Sequence, residues 1–176
     1  MSSLILLPGL AGDATMWRAQ CEALAAWRPV VADAHTRAAS IEAMAAAVLA
    51  QHPGQLVLCG ASMGGMVAME AARQAPDRIA GLALLGTDPQ PETEAMRQLR
   101  EAAIVLFAQG RVREVIAPNV AFAFHPDNAA RPELVDAYLR FVLDAGAEQL
   151  IRQNRAVMAR PDARTHLPRL RCPVLV

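Results

Sequence analysis

The pentapeptide Gly60-Ala61-Ser62-Met63-Gly64 places one serine between two glycines with the spacing G-x-S-x-G. A serine held at a sharp turn between a strand and a helix can act as a nucleophile toward an acyl carbon. Such a turn needs the two glycines, because strand and helix pass too closely there for larger side chains. We therefore predict that Ser62 is a catalytic nucleophile. The alternative is an ordinary serine in a glycine-rich turn.

A second glycine-rich stretch, residues 7–12, follows the first apolar run of the chain. A loop in this position can donate a backbone N–H to a developing oxyanion, and the residue after the nucleophile, Met63, supplies the other donor. The spacing G-x-x-G does not match the dinucleotide-binding pattern G-x-G-x-x-G. The sequence contains no lysine, which excludes a nucleotide-binding phosphate loop of the Gly-Lys-Ser/Thr type.

Short apolar runs alternate with helical patterns through the first part of the chain. The sequence predicts strands over residues 4–7, 30–32, 56–59 and 79–85, and helices over residues 14–26, 40–50 and 63–75. This alternation is typical of an α/β protein with a doubly wound, mainly parallel sheet. In the strand order 2-1-3-4-5 the first and third strands are neighbours, so both glycine-rich turns are expected at one crevice.

Residues 88–168 lack a convincing strand and form a helical cap insertion in our prediction. Helices are expected over 92–109, 111–117, 132–145 and 147–159, with a loop over 118–128. The predicted division is therefore a core with the serine turn over 1–87, a cap over 88–168, and the next core strand over 169–176. Five aromatic residues of the insertion either line an acyl pocket or pack in its core: Phe107, Phe122, Phe124, Tyr138 and Phe141.

Composition excludes several classes of partner. Seventeen basic and 17 acidic residues give a net charge of zero, which favours neither nucleic acid nor an anionic membrane. Three widely separated cysteines indicate neither a disulfide framework nor a metal site. No apolar run approaches the length of a membrane span, about 18 residues. We therefore expect a cytoplasmic protein that uses no metal and no cofactor.

Three segments resemble successive landmarks of the α/β-hydrolase superfamily. They are residues 6–10 (Leu-Leu-Pro-Gly-Leu), 58–65 (Leu-Cys-Gly-Ala-Ser-Met-Gly-Gly) and 170–176 (Leu-Arg-Cys-Pro-Val-Leu-Val). The Ser-Met-Gly-Gly form is most similar to the small esterase, enol-lactonase, C–C hydrolase and cofactor-free haloperoxidase branches. The resemblance implies an α/β-hydrolase fold with Ser62 as nucleophile and the backbone amides of Leu10 and Met63 as the oxyanion hole.

The resemblance also implies a function. A serine hydrolase of this kind cleaves a small carboxylic ester, lactone or thioester through an acyl-enzyme, and its partner is a small acyl substrate. The alternatives on the same frame are a C–C bond hydrolase and a cofactor-free perhydrolase or haloperoxidase. One departure is Pro8, where many members have histidine, but a backbone donor does not depend on that side chain.

The partners of Ser62 are the larger departure. In this family the acid follows the strand that starts near Cys172, and the histidine follows the next strand, so the resemblance implies that both lie beyond Val176 and the core is incomplete. Within the chain, Asp88 is a candidate acid and His125 a candidate base. The rival hypothesis is a non-enzymatic fragment without the acid and histidine, which self-associates through an open sheet edge.

Overall fold

A parallel sheet of five strands forms the centre of the protein. The computed structural model describes residues 2–176, apart from the side chains of residues 121 and 122. The strands are β1 (Ser3–Leu7), β2 (Val30–Val31), β3 (Leu56–Ala61), β4 (Ile79–Leu85) and β5 (Val174–Leu175). Their order is β2-β1-β3-β4-β5 and each of the four pairings is parallel. The predicted sheet type and strand order are confirmed.

The three long strands are continuous apolar runs because both of their faces are covered. Ile5, Leu56 and Leu58 are completely buried in the main core. The two edge strands are short. The strand predicted within residues 169–176 was too long, since Leu167–Arg169 forms a 3₁₀ turn and regular pairing with β4 begins only after Pro173.

Three helices connect the first four strands: α1 (Arg18–Ala23), α2 (Ile41–Gln51) and α3 (Met63–Gln74). Ser40 caps α2, because its Oγ accepts the Ala43 amide at 3.1 Å. The single helix predicted over 14–26 was wrong. It is interrupted by 3₁₀ turns before and after α1, and the chain leaves it at Arg28 with a left-handed φ of 46°.

The insertion between β4 and β5 is helical, with α4 (Glu94–Ala108), α5 (Val112–Ile116), α6 (Pro126–Ala129) and α7 (Pro132–Met158). Helix α7 consists of two helices joined at Gly146, whose φ of 76° is not helical. This agrees with the two separate helices predicted over 132–145 and 147–159. The loop predicted over 118–128 was wrong, because Ala117–Ala123 forms a 3₁₀ helix and is followed by α6. Pro126 is the first residue of α6, a position that suits proline.

The insertion has its own apolar cluster, which includes Phe107, Val142 and Leu150, and the rest of the core lies against the sheet. Strands β4 and β5 are adjacent in the sheet, so the insertion leaves it and returns beside its starting point. The division of the chain at residues 87 and 168 stays a prediction. None of the helices in the described part of the chain is long and apolar enough to cross a membrane.

We expect the 176-residue chain to self-associate through β5. This strand lies at one edge of the described sheet, and Val174 and Leu175 are 44% and 64% exposed. An exposed apolar edge is a template for pairing with a second chain. Val174→Lys should lower the association measured by sedimentation velocity, whereas Val105→Lys, at another exposed valine on α4, should not. A wild-type chain that stays monomeric at high concentration would contradict the expectation.

Candidate active site

Ser62 occupies the sharp turn between β3 and α3. Its φ of 52° and ψ of −115° lie in a region that a residue with a Cβ rarely adopts. A Cβ on Gly60 would lie 2.3 Å from the Gly64 carbonyl oxygen, and a Cβ on Gly64 would lie 2.0 Å from the Leu7 oxygen. Both neighbours are backbone atoms that cannot move aside. The tight turn predicted from the sequence is therefore present, and only glycine fits on either side of it.

The end of β4 holds this strained backbone in place. The Ser62 amide donates to the Leu85 carbonyl at 2.8 Å, and the Thr87 hydroxyl donates to the Ser62 carbonyl at 2.7 Å. Thr87 also fills the space beside Gly65, where an added Cβ would meet it at 2.6 Å. Sequence reasoning missed Thr87. Its one signal was a hydroxyl residue just after the fourth predicted strand.

The hydroxyl of Ser62 makes no hydrogen bond to a described residue. A serine before a helix usually accepts an amide of the first turn, as Ser40 does for α2. Ser62 stands at the same position before α3, yet its side chain makes no capping hydrogen bond, and the residue is exposed. This argues against an ordinary structural serine, because the turn is strained without the hydrogen bond that would compensate it.

Ser62 opens into a cavity of about 610 Å³, within the size range of small-molecule sites. Leu10 and Met63 line the same cavity. Leu7 and Gly60 are paired in register, so the loop after β1 starts beside the serine turn, and a Cβ on Gly9 would lie 3.5 Å from that of Ser62.

The two predicted oxyanion donors are available for that role. Neither the Leu10 amide nor the Met63 amide donates a hydrogen bond to any described residue. The Met63 amide belongs to the first turn of α3, where the helix carries a partial positive charge that favours an anion. An unpaired amide of this kind can stabilise the negative oxygen of a tetrahedral intermediate. The role of both amides as oxyanion donors stays a prediction.

The loop after β1 is fixed by buried hydrogen bonds. Gln153, on α7 and fully buried, accepts the Ala11 amide at 2.8 Å and donates to the His35 carbonyl at 3.0 Å. His35 in turn donates from Nε2 to the Gly12 carbonyl at 2.7 Å. Ala11 itself has a φ of 59°. Sequence reasoning missed Gln153, because it lies 142 residues from Ala11 and only folding brings them together.

The candidate acid and base do not contact Ser62. Asp88 is exposed, and its carboxylate accepts the Gln90 amide at 2.8 Å; it lines a separate small cavity. The His125 side chain is 71% exposed, and its Nδ1 lies 3.5 Å from a carboxylate oxygen of Asp127. Among the described residues, the structure therefore places neither group in hydrogen-bond contact with Ser62. Their catalytic roles stay predictions.

The aromatic residues of the insertion divide between the two expected roles. Tyr138 and Phe141 line the Ser62 cavity, and their ring centroids are 5.1 Å apart in an edge-to-face contact. Phe124 packs against Tyr138 from outside the lining. Phe107 is buried in the core of the insertion. The side chain of Phe122 lies outside the described part of the chain. Arg100 also lines the cavity, and no sequence motif had indicated it.

Comparisons with known proteins agree with this geometry. A family model described as the alpha/beta hydrolase fold matches residues 3–125. The chain therefore belongs to the α/β-hydrolase fold family, as its sequence motifs indicated. The structure is similar to a malate-bound thermophilic esterase from Thermogutta terrifontis, with a TM-score of 0.82 and 28% identity, covering 99% of this chain and 70% of that one.

Two further proteins are similar to the chain. The enol-lactonase of Burkholderia xenovorans has a TM-score of 0.85 and 22% identity, covering 99% of this chain and 71% of that one, a likeness of fold. A pimeloyl-[acyl-carrier protein] methyl ester esterase of Aliivibrio salmonicida is 30% identical over 117 residues, 61% of this chain. The matched segment spans 45% of the relative's length.

Replacing Ser62 with glycine should stabilise the fold relative to replacing it with alanine. Both variants lose the hydroxyl, but only glycine adopts the φ of 52° without strain. The relief of strain outweighs the greater flexibility of glycine in the unfolded chain. We therefore expect the free energy of unfolding of Ser62→Gly to exceed that of Ser62→Ala by about 1 kcal/mol. Equilibrium urea unfolding measures the difference. Equal stabilities would show that the turn is not strained.

His35 should make stability fall as the pH drops below about 6.5. Burial lowers the pKa of His35 from its ordinary value, and the hydrogen bond to Gly12 opposes this only in part. In this pH range the unfolded chain binds a proton that the folded chain does not. The free energy of unfolding therefore falls by at most about 1.4 kcal/mol for each unit by which the pH is lowered.

Urea unfolding between pH 5 and 8 tests the role of His35. His35→Gln keeps a donor toward Gly12 and removes the titration, so its stability should depend less on pH than that of the wild type. His52→Gln is the comparison, since burial also lowers the pKa of His52 but this residue is less deeply buried. An unchanged pH dependence in His35→Gln would show that the imidazole titrates alike in both states.

Proposed function

We propose that the protein is a serine hydrolase that cleaves a small carboxylic ester, lactone or thioester. The observation that carries the proposal is the uncapped Ser62 hydroxyl, which opens into a cavity also lined by Leu10 and Met63, whose amides donate to no described residue. A strained backbone persists where the surrounding structure holds it, and such positions concentrate at reactive groups. The arrangement suits attack on an acyl carbon followed by stabilisation of an oxyanion.

The proposed reaction has two steps. Ser62 Oγ attacks the carbonyl carbon and transfers its proton to a general base, while the carbonyl oxygen becomes an oxyanion near the Leu10 and Met63 amides. Collapse of this intermediate breaks the bond to the alcohol or thiol, which leaves with the proton, and forms the acyl-enzyme. Water then attacks the acyl-enzyme in the same way and releases the carboxylic acid.

Similarity to known proteins supports carboxylic ester chemistry. The Thermogutta protein is an esterase, and the Aliivibrio protein is a methyl ester esterase acting on an acyl group carried by a protein. Both names describe hydrolysis at an acyl carbon. The apolar lining of Tyr138, Phe141 and nearby methionines suits the hydrocarbon part of an acyl group.

A folded but inactive protein is the second candidate, and one observation favours it. Ser62 Oγ has no basic partner among the described residues, while Asp88 and His125 make hydrogen bonds elsewhere. A serine without a base keeps the oxyanion hole and the binding cavity but loses several orders of magnitude in rate. The two candidates predict different reactivity of the same hydroxyl.

Labelling with a fluorophosphonate probe separates these candidates. If Ser62 is activated, the probe should attach to it, and the wild type should hydrolyse 4-nitrophenyl butyrate. Both signals should fall at least about 1000-fold in Ser62→Ala. Ser40→Ala is the matched control, because Ser40 caps α2 and does not line the cavity. It should label and hydrolyse like the wild type.

Two further variants test the candidate acid and base. If Asp88 and His125 serve Ser62, Asp88→Asn and His125→Gln should each lower the rate at least about 100-fold. Rates within a factor of three of the wild type would exclude both. A wild-type chain that neither labels nor hydrolyses the ester would reject the proposed activity and support the inactive alternative.

A further inference from the structure

We infer that Arg100 forms a carboxylate-binding subsite in the Ser62 cavity, and that the substrate is an ester or lactone carrying a free carboxylate. The inference deepens the proposed function and rests on it. Arg100 lies on α4 in the helical insertion. Among the described residues that line the cavity, it is the only one with a charged side chain. No motif of the sequence identified it, and the proposed chemistry at Ser62 does not require it.

Two side chains outside the cavity lining hold the guanidinium of Arg100. Its Nε donates to the Glu92 carboxylate at 2.5 Å, and its Nη1 donates to the Asn154 side chain at 2.8 Å. The third nitrogen, Nη2, donates to no described residue, although the side chain is only 23% exposed. Arginine carries five N–H groups in a rigid fork. Two of its nitrogens are thus used to orient the group, and the third remains available to a ligand.

Arg100, Arg160 and Glu92 form an ion-pair cluster with one net positive charge. The Glu92 carboxylate is shared between Arg100 and Arg160, whose Nη1 lies 3.0 Å from the same oxygen. Burial by itself raises the pKa of Glu92, but hydrogen bonds from the two arginines outweigh burial and lower it. Glu92 is therefore ionised at neutral pH, and two guanidinium groups share one carboxylate. One positive charge is left over, on a cluster that reaches the cavity through Arg100.

An anionic ligand would balance this charge. A guanidinium in a partly desolvated wall attracts a carboxylate more strongly than water-exposed arginine does, because the surroundings screen less. No acidic side chain is present among the described residues of the lining to compete for it. The wall of the same cavity also includes Tyr138 and Phe141. The cavity thus suits a short acyl chain with the reacting carbonyl at one end and a carboxylate at the other.

The test compares two substrates of similar length. 4-Nitrophenyl hydrogen glutarate carries a carboxylate at the end of its acyl chain, and 4-nitrophenyl pentanoate carries a methyl group. The wild type should prefer the anionic ester at least about tenfold in kcat/KM. Arg100→Met should reduce this ratio at least about tenfold, and Arg100→Lys should retain part of it. Arg97→Met, one turn away on α4 and outside the lining, should keep the wild-type ratio.

A binding measurement separates this inference from the proposed activity. Glutarate titrated calorimetrically into Ser62→Ala should bind, and binding should weaken at least about tenfold when Arg100→Met is added; circular dichroism verifies that both variants fold. Hydrolysis of both esters with a ratio near one, unchanged in Arg100→Met, would overturn the subsite and leave the hydrolase intact. If neither ester is hydrolysed, the proposed activity fails, and the glutarate titration then decides the subsite by itself.

Discussion

The close contact between the first turn of α3 and the ends of β1 and β3 determines the geometry of the rest of the site. Gly64 lies against the Leu7 carbonyl and Gly60 against the Gly64 carbonyl, at distances that exclude any side chain. This contact forces Ser62 into its positive φ and directs the residue outward from the sheet. It also brings the loop after β1 next to the serine. The positions of Ser62 and of the neighbouring amides therefore follow from one packing constraint.

Backbone strain at Ser62 needs a rigid frame, and the frame comes from two directions. The end of β4 holds the Ser62 backbone through Leu85 and Thr87. The loop after β1 is held by Gln153 and His35, which are buried and hydrogen-bonded to backbone groups. Gln153 belongs to α7, so the helical insertion takes part in fixing the loop that carries the predicted Leu10 donor. The insertion and the loop after β1 are thus coupled through a buried polar link, whose loss would leave backbone groups unpaired.

The insertion also contributes the polar wall of the cavity. The pair formed by Arg100 and Glu92 is partly buried and joined by Arg160, and such clusters contribute little net stability because removing charges from water is unfavourable. A net positive charge on such a cluster makes its contribution to stability less favourable still. Arg100 also lines the Ser62 cavity, and in the proposed subsite a carboxylate ligand would balance this charge.

The sequence by itself determined the sheet, its order, the family and the serine turn. These follow from local signals: continuous apolar runs, glycines at a required spacing, and the short-range alternation of strand and helix. Local signals misjudged residues 14–26, 118–128 and the length of the last strand, where prolines and 3₁₀ turns interrupt a simple pattern. Only the tertiary structure decided that Gln153 supports the Ala11 loop and that Arg100 faces the Ser62 cavity. Both lie far along the chain from their partners, and no periodicity records which distant groups folding will bring into contact.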